Sequence, residues 1–216
     1  MTENKLRPGL PPLPERIAAL AVDAKGYPVP WFVRWIDGKP DHRIADATKF
    51  LPALRDRICW VCGQKLSAYG HFVLGPMCTV NRVTSEPPAH RDCAEFSVRA
   101  CPFLSRPHAG RRDHDYPEGN RPPPGVYIAR NPGVMAVWMT NSWTPKLVGV
   151  NQWLIDIGEP ASVEWWTQGR IATRKEVEDA VVAGTPDLSK LVDRHSAEEL
   201  REFEANLVRA RDHYPE

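Results

Sequence analysis

No stretch of this chain of 216 residues approaches the roughly 18 consecutive apolar residues of a membrane-spanning helix. The opening Met1-Thr2-Glu3-Asn4-Lys5 also lacks the charged-then-apolar layout of a secretory signal, so a reducing cytoplasm is the expected compartment. Cysteine is scarce: five residues, an odd number, in a chain large enough to bury a core, which argues against a disulfide framework. A formal net charge of +1 excludes a protein that coats nucleic acid by bulk electrostatics. The familiar catalytic signatures are missing as well. There is no Gly-rich phosphate loop, nucleophile elbow, His-Glu-x-x-His or dinucleotide fingerprint.

What the chain does hold is a pair of metal-ligand dyads, Cys59-Trp60-Val61-Cys62-Gly63 and His90-Arg91-Asp92-Cys93. Together they supply three thiols and an imidazole, the complement of a structural Zn2+ site. Gly63 permits the positive torsion of a zinc knuckle. The second dyad follows Thr84-Ser85-Glu86-Pro87-Pro88, which reads as a capped helix start with proline in the first turn. Knuckle first and helix last resembles a treble-clef zinc finger over residues 59–101, which implies a fold and a metal rather than an activity. Cys78, after Gly75-Pro76-Met77, and Cys101, eleven residues beyond His90, are alternative ligands. The plainer reading of both is a buried free thiol. A proline after Cys101 echoes iron-sulfur ligation, but the usual run of cysteines is absent.

Charge is unevenly spread, with a net of +3 in residues 1–58, +3 in 59–130 and −5 in 131–216. A basic stretch, Arg99, Arg106, His108, Arg111, Arg112 and His114, directly follows the second dyad. It reads either as a phosphate-holding surface or as a solvated loop diluted by Asp113, Asp115 and Glu118.

The expected fold is α+β, in four segments. Residues 1–30 form a proline-rich arm with a short turn of helix at 16–20. Residues 31–104 hold a hairpin about Asp37-Gly38, a helix at 47–57 and the zinc module. Residues 105–124, rich in proline, arginine and glycine, form a linker. Residues 125–216 carry strands at 125–129, 134–140, 145–150 and 153–157, an antiparallel meander, and then two helices. Thr173 with Glu176, and Ser196 with Glu199, are capping boxes, and Gly184 ends the first helix. Trp165 and Trp166, adjacent in a β-rich run, should point to opposite faces, either one ring exposed beside Arg170 or both packed.

As a whole the chain resembles an uncharacterised family of small proteins borne by phages and other mobile elements. The similar stretches lie around Tyr27-Pro28-Val29-Pro30-Trp31, Gly75-Pro76-Met77-Cys78 and residues 90–103 and 165–176. That resemblance implies a standalone cytoplasmic protein and no particular activity. The leading functional expectation is a zinc-stabilised binding protein that recognises nucleic acid or a nucleic-acid-processing partner through Arg99, Arg106, Arg111 and Arg112. One alternative is a His-Asn-His-like metal-dependent nuclease, since His71, Asn81 and His90 occur in that order. Another is a protein-directed adaptor or inhibitor. A deaminase fits less well than a nuclease: Asp92 stands where a glutamate is needed, and the dyads run in reverse order.

Overall fold

The computed structural model describes residues 5–112, 130–150, 152–192 and 197–216. The strand expected at 125–129, His114 and the Ser196 cap lie outside them.

Prolines confine the arm to a single helical turn, α1 (Glu15–Ala18), which nevertheless buries Ile17. Asp37 and Gly38 both take positive φ, 48° and 74°, as a two-residue hairpin turn requires. They fold β1 (Val33–Ile36) back onto β2 (Lys39–Ala45). Asp46 then caps α2 (Ala47–Arg55), its carboxylate accepting the Thr48 N–H. The helix stops two residues earlier than the pattern predicts, and Arg57 turns into the left-handed region at φ 52° to aim the chain at Cys59.

Between the two dyads lie elements that the sequence did not announce: β3 (Gly70–Leu74), α3 (Pro76–Asn81) and β4 (Val83–Thr84). The second dyad opens α4 (Arg91–Ala100), but not by the expected cap. Thr84 is in a strand, and Ala89 is extended because it exchanges two backbone hydrogen bonds with His71, at 2.9 and 2.8 Å. The prolines therefore precede the helix, and His90 is its N-cap residue. After α4 comes the short α5 (Pro102–Ser105).

The C-terminal part supplies β5 (Met135–Thr140), β6 (Trp143–Gly149), β7 (Gln152–Ile157), β8 (Ser162–Thr167) and β9 (Arg170–Ile171). Two helices follow, α6 (Arg174–Val192) and α7 (Ala197–Ala210). Among the described residues all strand pairing is antiparallel, and strands from before residue 105 and after residue 130 share the larger sheets, ordered β3-β5-β8-β9 and β4-β7-β6.

The first of these sheets divides two cores, and the division follows the two-residue period of its strands. Ala136 and Trp138 of β5, Phe72 and Leu74 of β3 and Trp165 of β8 face one way, onto the core that includes Val177, Val181 and Phe203 of the terminal helices. Met135 and Val137, with Val73 and Trp166, face the other way, onto Cys59, Cys62, Cys93 and Phe96. Adjacent Trp165 and Trp166 thus serve opposite cores, and neither is a free platform. Trp165 is 1% exposed and donates its indole N–H to the His213 carbonyl at 2.8 Å.

Gly184 does not end α6. A side chain there would stand 2.9 Å from Cγ of Met77, so the glycine marks the close crossing of α3 over α6. The Thr173 box is formed: the Thr173 N–H donates to Glu176 Oε2 at 2.8 Å, and the Glu176 N–H donates to the Thr173 hydroxyl at 3.4 Å. Arg170 bonds the same carboxylate, and its hydrogen bond, with those from Thr173, holds the Glu176 pKa down at about 2. A depressed carboxylate contributes stability above its unfolded value and loses that contribution as pH falls through the folded one. Acid titration of the wild type should therefore show a destabilising step between about pH 4.5 and 2 that is missing in Glu176→Gln. Thr173→Ala should cost about 1 kcal/mol in a denaturant melt at neutral pH.

Candidate metal centre

Cys59 leaves a short antiparallel bridge, Ile58 to Lys65, in which the Cys59 N–H donates to the Gln64 carbonyl at 2.8 Å. Inside that turn the Gly63 N–H returns to the Cys59 carbonyl at 2.9 Å, with Gly63 at φ 75°. This folds the backbone beneath Cys62, whose own N–H donates to Cys59 Sγ at 3.4 Å. The second half arrives from the strand-like residues before α4. The Trp60 N–H donates to the Pro88 carbonyl at 3.0 Å, and the His90 N–H reaches Cys59 Sγ at 3.4 Å. Cys93 follows one helical turn into α4.

These paths bring one ligand atom from each of Cys59, Cys62, His90 and Cys93 within 4.8 Å of one another. A tetrahedral zinc with sulfur at about 2.3 Å needs ligand separations of about 3.6 to 3.8 Å. Cys62 Sγ lies 3.4 Å from His90 Nδ1. The tautomer of His90 also suits a ligand. Its Nε2 is 2.9 Å from the Lys65 carbonyl, which can only accept, so the proton sits on Nε2 and the Nδ1 lone pair faces the sulfurs.

Cys59 and Cys93 are fully buried, and Cys62 nearly so. Crowding splits their acidities. Hydrogen bonds from the Cys59 and Cys93 thiols pull Cys62 far down, while the same contacts push Cys59 and Cys93 up. Two thiols pushed up beside one pushed down is the pattern of sulfurs too close together to ionise freely. Three thiolates at this separation require a cation, and a cluster of three sulfurs and one imidazole nitrogen suits zinc. The cluster is thus able to hold a metal ion with residues that fit it. Cys78 and Cys101 stand outside it; both are free and half-buried rather than fully buried.

Beside the cluster is a cavity of about 330 Å³ lined by Arg16, Ser67, Tyr69, His71 and His90 with the first turn of α4. Burial, then the charge of Arg91, holds the His71 pKa below its usual range, and Nδ1 of His71 is buried with no hydrogen-bond partner among the described residues. Asn81 does not line this cavity. It ends α3, and its side chain accepts the Val83 N–H at 3.1 Å.

Of the four arginines read as a binding surface, Arg99 is exposed near the end of α4 and Arg106 just past α5. Arg111 and Arg112 are exposed as well, the first lying over the Phe103 ring at 4.5 Å. The sequence reading missed the Lys65 carbonyl and the contact of Arg16 with Asp92. A main-chain acceptor carries no residue signature, and Arg16 lies 76 residues from its partner.

Comparison with known proteins adds no assignment. No family model matches the chain, and neither the curated proteins nor the solved structures provide a match. The resemblance to phage and mobile-element proteins thus has no matched family behind it. Among the described residues no helix is long and apolar enough to cross a membrane.

Proposed function

We propose that this is a zinc-stabilised binding protein in which a treble-clef centre, ligated by Cys59, Cys62, His90 and Cys93, holds a surface that recognises nucleic acid or a nucleic-acid-processing partner in the cytoplasm. The observation that carries the reading is the closed four-ligand cluster. Three thiols and an imidazole nitrogen gathered within 4.8 Å would fill a tetrahedral zinc's four positions and leave none for a substrate water, which favours a structural role for the metal. Zinc, when bound, would supply the fixed positive charge that keeps three thiolates together and ties the knuckle to α4.

Support for the target class comes from placement. Arg99, on the helix that the metal would anchor, and Arg106, just past α5, are both exposed, so phosphate contacts there would be held in register by the centre. Arg111, laid flat on Phe103, is pre-ordered for the same task. The nuclease alternative draws on His71 lining the cavity beside His90, but Asn81 is occupied in a turn elsewhere, so the histidine–asparagine pair that such chemistry needs is not brought together. An adaptor or inhibitor for a protein partner would use the same exposed surface without phosphate contacts.

Salt dependence separates these targets. Binding to single- or double-stranded DNA or RNA should weaken steeply with salt, and reversing Arg99→Glu with Arg106→Glu should cut affinity about tenfold or more while flattening the salt slope by roughly two. Such exposed substitutions should change stability by less than about 0.5 kcal/mol each. Absence of nucleic-acid binding at low salt would direct the search to a protein partner.

A further inference from the structure

The arm does not lie loosely on the surface. Ile17 is 1% exposed and belongs to the same buried cluster as Cys59, Cys62 and Cys93, with Leu13 and Leu20 packed beside it. Arg16 Nη1 donates to Asp92 Oδ2 at 2.8 Å, and the other oxygen of Asp92 accepts the N–H of Cys93 at 3.0 Å. A chain of two contacts thus runs from the arm to the backbone of a ligand. At the arm's far end the Trp31 N–H donates to the Val61 carbonyl, inside the knuckle, at 2.7 Å, and the Trp31 indole covers the face of Gly63.

We propose that residues 5–31 form a metal-dependent strap: occupation of the Cys59–Cys62–His90–Cys93 centre and docking of the arm are coupled, with Arg16 the positioning residue that links them. The inference rests on the reading that the cluster holds zinc. Two physical effects produce the coupling. Three thiolates around a divalent cation leave a net charge of −1, and the guanidinium of Arg16 is a nearby counter-charge. Its pKa is raised chiefly by the Asp92 hydrogen bond, with the Cys93 and Cys62 charges acting in the same direction. Secondly, the knuckle is the floor on which Ile17 and Trp31 rest, and losing the metal removes the bonds that would tie Cys59 and Cys62 to α4. Loss of metal therefore releases the strap. Because Arg16 is one wall of the open pocket lined by Tyr69 and His71, release also removes that wall.

The experiment uses the full chain loaded with zinc. In Arg16→Gln, which alters an exposed side chain and should fold normally, zinc content should stay at one per chain, but zinc affinity measured against a competing chelator should fall about tenfold. By linkage, the hydrogen-exchange protection of the Trp31 amide should fall by a similar factor in that variant, and in the wild type on removing zinc. Arg16→Lys should restore part of both. Unchanged zinc affinity in Arg16→Gln, or Trp31 protection indifferent to zinc in the wild type, overturns the strap while leaving the metal centre in place. A wild-type chain that binds no zinc overturns the metal reading itself, and the strap with it.

Discussion

Removing the metal is expected to unfold residues 59–103, and single alanine substitutions at Cys59, Cys62, His90 and Cys93 should each do the same by releasing it. Apparent binding free energies of structural zinc in small peptides are about 10 to 16 kcal/mol, comparable with the 5 to 15 kcal/mol that holds a whole domain together. Here that energy has no substitute. The core on the metal's side of the sheet is built partly from the ligands themselves, Cys59, Cys62 and Cys93. Without a cation, three thiolates this close together repel one another. Metal analysis and thermal melts with and without chelator test this directly. Cys78→Ala and Cys101→Ser, outside the cluster, should keep one zinc per chain. Loss of metal in either of those variants, with retention in His90→Ala, would replace the mixed site by an all-thiolate one.

The four clustered residues could be read from the chain because a dyad with two intervening residues is a local geometric statement: both side chains can reach one ion whatever the rest of the fold does. The hairpin at Asp37-Gly38 and the Thr173–Glu176 box were legible for the same reason. What the sequence could not reveal is set at long range. β3 reads as a neutral stretch between the dyads, and it becomes a strand because β5, about 65 residues on, pairs with it from Gly70↔Thr140 to Leu74↔Ala136. That pairing buries β5 on both faces, which explains why its near-continuous apolar run showed no alternation. Gly184 misled because a glycine after a capped apolar run resembles a stop, whereas it sits mid-helix where Met77 of α3 approaches. The start of α4 misled because Ala89 is held extended by His71, a partner that only the folded sheet supplies. The arm's place against the metal likewise depends on Asp92, which no periodicity connects to Arg16.

A pair of glycines offers the sharpest separation of backbone strain from packing at the knuckle. Gly38 and Gly63 have nearly the same torsion, φ 74° and 75°, so alanine at either position pays a similar left-handed penalty of about 1 to 2 kcal/mol. Their surroundings differ. A Cβ on Gly38 meets nothing within 4 Å, whereas one on Gly63 would stand 2.6 Å from Cδ1 and 2.7 Å from Cγ of Trp31. The indole has little freedom to retreat. Its backbone N–H is bonded to Val61, its carbonyl accepts Lys49 Nζ at 2.6 Å, and Trp60 meets the ring edge-on at a centroid distance of 6.2 Å. Overpacking of this kind costs roughly 1 to 3 kcal/mol beyond the strain. Gly63→Ala should therefore lose about 2 to 5 kcal/mol in a denaturant melt of the zinc-loaded protein, and Gly38→Ala only about 1 to 2. Zinc affinity should fall in the first variant alone, because Gly63 lies next to a ligand and its N–H closes the turn onto Cys59. Adding Trp31→Ala to Gly63→Ala removes the clash, so the double variant should be more stable than the sum of the single losses implies. Equal costs at the two glycines, with additive behaviour in the double variant, would mean that the indole yields freely and that the knuckle draws no support from the arm.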